Sequence, residues 1–384
     1  MDIVQIRREF HRHPELGYEE TWTSARIAQI LGALGIGVTC GVAGTGVVGV
    51  LRGRDSSLGA LGYRADMDAL PVTERTGLEF AATNGCMHAC GHDAHIAVAL
   101  GVAERMARAS AGSPCLAHDL VFVFQPNEEG APGEKPSGAE WMCREGVLER
   151  FGIRRMLAIH CDPDLDAGKL GLCQGAVWAA SARFVISVTG EAAHAAYPER
   201  GRDALWAASQ IVSSVYAAMA RRRAKKNEVV SICRLQAGCA FNVIAGSASM
   251  EGILRASSHE EIRQIFGVLK ETAQGVADAC RVGVETVLYL GAEAVINDAA
   301  MVACASHVWQ AMNVAAAVDM KMASEDFSSF SARIPCLYAM MGVKKANGCA
   351  PLHADTFDID EKVLEPTVGA MCALCHALDE ARKP

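Results

Sequence analysis

Short apolar runs that stop abruptly on polar residues recur along the first half of the chain and again near its end. "LGALGY" runs into Arg64-Ala65-Asp66, "LVFVF" into Gln125-Pro126-Asn127-Glu128-Glu129-Gly130, and "MLAI" into His160. "CLYAMMGV" is followed, after a glycine-containing loop, by Pro351-Leu352-His353. Continuous apolar runs of this length suit strands buried on both faces. Helical patterns lie between them: "TWTSARIAQILGALG", "AHIAVALGVAERMARA" and "SGAEWMCREGVLERF". Strands alternating with helices predict an α/β domain with a mainly parallel sheet and helices on both faces. In such sheets ligands gather at the carboxyl ends of the strands, and the polar residues just named all fall at those ends.

The middle of the chain has a different rhythm. "SARFVISVTG" alternates as a half-exposed strand does. The loop "EAAHAAYPERG" follows, then the helix "RDALWAASQIVSSVYAAMARR", two strand-like stretches "VVSICRLQAG" and "ASMEGILRA", the helix "HEEIRQIFGVLKETAQGVADAC" and the strand "VGVETVLYLG". The order β-α-β-β-α-β is that of a ferredoxin-like α+β unit. The expected organisation is therefore a discontinuous catalytic domain, 1–178 and 292–384, interrupted by a smaller domain over 179–291. The first domain then includes the C-terminal helix "EPTVGAMCALCHALDEA".

Two motifs mislead. "GTGVVG" at 44–49 matches a dinucleotide-binding fingerprint, which requires a strand before it and a helix opening within it. No long strand is expected before it, and apolar strand-like residues follow, so a glycine-rich turn into a strand is the better reading. "CALCH" at 372–376 matches a c-type haem attachment site but lies in an apolar helical pattern.

Composition narrows the classes. The chain has 384 residues and a formal net charge of −8, which gives no basic excess for a nucleic-acid surface. The one basic cluster, Arg221 to Lys226, reads as a solvated helix end. The N-terminus lacks an apolar signal segment and no run is long enough to span a membrane. Fifteen cysteines without scaffold-like spacing suggest free thiols and a cytoplasmic protein.

Candidate chemistry concentrates in "MHACGHDAH", residues 87–95. Three readings compete. His88 and His95 suit structural roles, with Asp93 as a helix N-cap. Cys90 could be a nucleophile with His92 as its base. Cys90 and His92 could instead bind a metal, for which thiolate and imidazole are good donors. The other strand ends favour metal. Glu128 and Glu129 are adjacent acids, costly at a buried strand end without a compensating cation, and His160 and His353 offer further donors.

These residues carry a resemblance. The chain resembles, over nearly its whole length, the dinuclear metal-dependent amidohydrolases that include hippurate hydrolase, the plant auxin-conjugate hydrolases and bacterial N-acetyl-diaminopimelate deacetylase. The matching pieces are "RREFHRHPELGYEE", "YRADMDALPV", "MHACGHDAH", "FQPNEEG", "HAAYP", "EGILRA", "SEDF" and "PLHADTFDIDE". The resemblance implies that Cys90, His92, Glu129, His160 and His353 are metal ligands and that Glu128 is the general base. It implies that Asp66 orients a ligand or a water, and that His194 reaches from the inserted domain, often across a dimer interface, toward the substrate carbonyl. Asn242 and Arg255 match positions lining the substrate side. The inserted domain becomes a lid and dimerisation module, and the protein a homodimer.

The implied activity is hydrolysis of the amide bond of N-acyl amino acids, acetyl or aroyl, to a carboxylic acid and a free amino acid. The implied cofactors are two divalent ions per subunit, zinc or manganese before cobalt or nickel. A dedicated N-acetyl-diaminopimelate deacetylase, a small dipeptidase and a non-catalytic dimeric binding homologue are the alternatives. Two departures stand out: Asn127 where the family usually has alanine, and a longer segment at 131–142. Both bear on acyl-group preference.

Overall fold

The structure is a computed structural model and describes residues 1–130, 136–222 and 227–381. Residues 223–226 of the basic cluster and 131–135 of the longer segment lie outside the described residues. The chain forms two compact units. One comprises Met1–Val177, Ile296–Asp319 and Asp326–Pro384, the other Trp178–Val295 and Met320–Glu325.

The larger unit is built on an eight-stranded sheet. Its order is Gly37–Val42, Gly46–Leu51, Asp119–Gln125, Ala60–Asp66, Ile153–Asp166, Cys336–Lys344, Leu170–Leu172, Ala315–Ala317. The four strands in the middle of that order run parallel to one another. Every residue of Ala60–Asp66 and Asp119–Gln125 is buried, as a sheet covered on both faces requires. Two glycines mark the covers. Beside Gly49 lies Leu31 of the helix Thr21–Ala33, and beside Gly46, on the opposite face, lies Met142 of the helix Gly138–Arg144. The helices His92–Ala109 and Leu364–Glu380 supply much of the apolar core.

Local sequence explains several departures from expectation. A six-residue strand, Gly37–Val42, does precede the glycine-rich turn and pairs with Gly46–Leu51 as a hairpin. Its residues are mostly exposed or half-buried and lack a long apolar run, so pattern alone misses it. The chain still continues as strand after Gly44, so no dinucleotide fingerprint forms. The helix expected across 137–151 is two short helices, Gly138–Arg144 and Val147–Arg150, separated at Gly146 with φ +73°. A left-handed glycine there ends the first helix. The "CALCH" segment lies inside the helix Leu364–Glu380 with Cys375 fully buried.

The smaller unit has a four-stranded antiparallel sheet, ordered Val229–Ala237, Ser247–Ala256, Ala180–Thr189, Gly283–Leu290. The helices Ala204–Arg221 and His259–Cys280 complete the β-α-β-β-α-β order. Residues 320–325 join this unit, which the sequence pattern did not place there. The Ala179 amide donates to the Lys321 and Ala323 carbonyls at 3.0 and 3.1 Å.

Asn297 secures the point where the chain re-enters the larger unit. Its side chain, 3 % exposed, donates to the Cys173 and Tyr338 carbonyls and accepts from the Tyr338 amide, at 2.9, 2.9 and 2.7 Å. Asn297→Ala leaves three buried backbone groups unpaired, a loss of about 3 kcal/mol. A lowered urea midpoint is expected, with metal content per folded molecule unchanged.

Candidate metal centre

The centre assembles from segments that leave the parallel sheet at one level. Asp66 pairs with Gln125 across the Ala60–Asp66 and Asp119–Gln125 strands, and His160 pairs with Met340. Arg64 pairs with Ala158, so His160 is level with Asp66, where the neighbouring strand stops. His160 itself is not at a strand end, because its strand continues to Asp166 alongside Cys336–Lys344. Cys90 lies in the turn before the helix His92–Ala109, and His92 is that helix's first residue. Gly91 between them has φ +89°, and a side chain there would collide with Cys161 Sγ.

The donor atoms of these residues meet. Those of Cys90, His92 and His160 lie within 4.8 Å of one another, as do those of Cys90, Glu129 and His353, and those of His92, Glu128 and Glu129. The Cys90 thiol is 3.4 Å from His160 Nε2. His353 Nε2 is 3.2 Å from Glu129 Oε1, and His92 Nε2 is 3.9 Å from Glu129 and 4.0 Å from Glu128. The five residues expected as ligands, and Glu128, therefore share one locus.

Hydrogen bonds orient the imidazoles. His92 Nδ1 donates to the Asp68 carbonyl at 2.8 Å, and His160 Nδ1 to the Cys161 carbonyl at 2.7 Å. A carbonyl can only accept, so each ring turns Nε2 toward the shared locus. His92 Nε2 is buried without a hydrogen-bond partner among the described residues. Burial pushes His92 down, but Asp66, Asp68 and Glu129 outweigh it and raise the pKa to about 10. Burial likewise pushes Glu129 up, while His353 and His92 bring it down to about 2. Burial, with Glu129 and Glu128 nearby, holds the Cys90 thiol well above its ordinary range. A thiol, three imidazoles and carboxylates that jointly seek positive charge fit divalent cations.

Asp66 borders the locus and, with His92 and His95, forms a further group of donor atoms within 4.8 Å of one another. Its carboxylate takes Arg64 Nη1 and His95 Nδ1, each at 2.7 Å, and stands 3.7 Å from His92 Nε2. Asp68 was missed by sequence reasoning, although the alternation Asp66-Met67-Asp68 at a strand end was the available signal. Its carboxylate accepts the Glu129 amide at 2.9 Å while its carbonyl holds His92. Asp93 is not the helix N-cap; Gly91 occupies that position. Asp93 instead points inward to Arg7 Nε at 2.6 Å and His11 Nδ1 at 2.8 Å, because a buried carboxylate needs charged partners. His95 joins Asp66 to the Cys161 amide, and His88 is buried and pushed down by that burial to about 3, hence neutral.

His194, Asn242 and Arg255 belong to the smaller unit. His194 and Val243 pair in a short two-stranded ladder, and the Asn242 carbonyl accepts the Ala195 amide at 3.0 Å. His194 Nδ1 accepts the Ala196 amide at 3.1 Å, which leaves its proton on the exposed Nε2. Arg255 Nη1 is buried without a hydrogen-bond partner among the described residues.

An α/β sheet with sulfur, imidazole and carboxylate donors gathered beside its parallel strands fits a metal-dependent hydrolase. Residues 62–377 match peptidase family M20/M25/M40, and the chain belongs to that family as a metal-dependent amidohydrolase. It is 32 % identical to the N-acetylcysteine deacetylase of Bacillus subtilis (strain 168), covering 94 % of this chain and 93 % of that one. It is 30 % identical to N-acetyldiaminopimelate deacetylase of the same organism, covering 96 % of each. Among solved structures, a Bacillus subtilis protein described as a dinuclear metal binding peptidase from the M20 family superposes with a TM-score of 0.85 at 30 % identity, covering 98 % of both chains.

The Asp93 cluster makes a pH prediction. Burial pushes His11 down, but Asp93 and a hydrogen bond to Glu74 reverse this and raise its pKa to about 9. Its folded pKa exceeds the ordinary value of 6.5, so its stabilisation is full below about pH 6.5 and is lost as pH rises through 9. The melting-temperature gap between wild type and His11→Gln should therefore narrow steadily between pH 6.5 and 10. A gap that is constant with pH would contradict the assignment.

Proposed function

We propose that this protein hydrolyses the amide bond of N-acyl amino acids, with two divalent ions held by Cys90, His92, Glu129, His160 and His353. The observation that carries the reading is a second carboxylate, Glu128, whose oxygen lies within 4.8 Å of the His92 and Glu129 donor atoms. Binding alone needs no such group, whereas hydrolysis needs a base within reach of the reacting water. The sulfur and the three imidazoles among the donors suit zinc, and the carboxylates suit manganese. When bound, such ions supply positive charge that acidifies water and polarises a carbonyl.

The chain's own residues do the rest. Glu128 takes a proton from water and returns it to the leaving amine. Asp66 and Asp68 fix the imidazole and carboxylate ligands from beneath. His194 presents an Nε2 proton suited to a carbonyl oxygen that gains negative charge. Arg255, with a buried Nη1 left unpaired, is suited to the free carboxylate of the amino acid, with Asn242 nearby in sequence on the same unit. The smaller unit exposes Leu205, Trp206, Tyr216 and Leu235 around the edge strand Val229–Ala237, which supports a homodimer formed through it. All fifteen cysteines are free and no described helix is long and apolar enough to cross a membrane, both in keeping with a cytoplasmic enzyme.

The test is a panel of N-acetyl amino acids, N-benzoyl amino acids and dipeptides, each with zinc, manganese, cobalt or nickel. Hydrolysis of at least one N-acyl amino acid, abolished by a chelator, is expected; inert protein in every arm would refute the reading. Glu128→Gln should keep its metal and lose about 10²- to 10⁴-fold in turnover. Arg255→Met should raise KM about tenfold or more for N-acyl amino acids and leave the matching carboxamides unaffected. An equal effect on both substrates would remove Arg255 from carboxylate recognition.

A further inference from the structure

We propose that Arg7 is a positioning residue for the metal centre, a buried guanidinium that holds the His92 helix and the His353 loop in register. The proposal rests on the reading of His92 and His353 as ligands. Arg7 comes from the N-terminal helix Ile3–His11 and is 1 % exposed. Its Nε meets Asp93 Oδ2 at 2.6 Å, and Asp93 directly follows His92. Its Nη2 meets Asp358 Oδ1 at 3.0 Å and its Nη1 meets Glu361 Oε1 at 3.1 Å. Asp358 and Glu361 close the segment that begins at His353. One planar fork thus spends three separate donors on carboxylates from two ligand-bearing segments, an arrangement that lysine cannot reproduce.

Independent contacts show that these two segments must agree in position. The His353 amide donates to the Ala89 carbonyl at 2.8 Å, one residue before Cys90. Phe357, buried at 1 %, sits against the place where a Gly91 side chain would project. The loop is therefore packed onto the Cys90–His92 turn, and Arg7 fastens both from below. Arg8 adds a two-pronged bond to Glu361, and Lys345 pairs with Asp358, so each carboxylate is held from two sides. Asp93 is held likewise, by Arg7 and His11.

The experiment measures metal affinity by chelator competition with zinc and with manganese, alongside the melting temperature of the metal-free protein. The variants are Arg7→Gln, Arg7→Lys, Asp358→Asn and Glu361→Gln, with His118→Gln as a control that breaks a buried pair with Asp379 elsewhere in the same unit. Arg7→Gln is expected to weaken metal binding about 10- to 100-fold, as loss of groups that orient ligands does. Arg7→Lys should fall between that variant and wild type. His118→Gln should lower the melting temperature with unchanged affinity. Wild-type affinity in Arg7→Gln, or an equal loss in His118→Gln, would overturn the proposal. If Arg7→Gln fails to fold, Asp358→Asn and Glu361→Gln decide: weakened binding in both supports the clamp, and unchanged binding in both overturns it. His353→Ala separates the two levels of the argument. Unchanged affinity there would overturn the ligand reading and the clamp with it, whereas a loss there beside intact affinity in Arg7→Gln would overturn the clamp alone.

Discussion

His92 Nε2 is buried, has no hydrogen-bond partner among the described residues, and stands about 4 Å from two glutamates. Everything else at this end of the sheet is arranged around that atom. Left to itself it is driven to hold a proton, because the surrounding carboxylates outweigh the penalty of burying charge. A divalent ion meets the same demand more fully, since it can also satisfy the Cys90 thiolate and the His160 ring. Proton and metal compete for the same lone pair, so binding of an ion there would be linked to release of a proton.

Parallel strands make such a convergence cheap to build. Neighbouring strands hold residues at one level, and the apolar runs around them fix that level by packing. Asp66, Gln125 and His160 share a row for this reason. The functional groups beyond the row must then be aimed by local bonds. Asp68 aims two at once, His92 through its carbonyl and Glu129 through its carboxylate. Replacing Asp68 would disturb the His92 imidazole and the Glu129 backbone together.

Much of this was legible in the sequence. The apolar runs located the four central strands, and the alternating middle segment disclosed the second unit's element order. The convergence of Cys90, His92, Glu128, Glu129, His160 and His353 is expected from apolar runs that stop on polar residues and from the family resemblance, although the strand carrying His160 runs on to Asp166. What escaped notice was chiefly long-range pairing. Nothing in "RREFH" reveals that Arg7 reaches Asp93, Asp358 and Glu361, because ion pairs separated by 86 to 354 residues leave no local pattern. Asp93 looked like a cap for the same reason: its sequence position at a helix start was visible, and its partners were not. The helix Ala299–Ala311 also went unread, its alanine-rich face offering little contrast between buried and exposed positions.

The backbone carries a final constraint. Three left-handed residues stand at the proposed ligands: Gly91 between Cys90 and His92, Asn127 before Glu128, and His353 itself, with φ of +89°, +48° and +67°. That conformation is disfavoured for any residue with a side chain, so it persists at Asn127 and His353 only where neighbours over-determine it. They do. The Asn127 amide donates to Glu20 Oε1 at 2.9 Å and its carbonyl accepts from Gly138 at 3.0 Å, while the His353 amide is tied to Ala89. Asparagine tolerates this region better than most residues, which gives the departure at 127 a conformational reason. The reversal it imposes turns two consecutive glutamates out of the strand direction. Glu129 then faces His353 at 3.2 Å, while its neighbour Glu128 stands 4.0 Å from His92 Nε2.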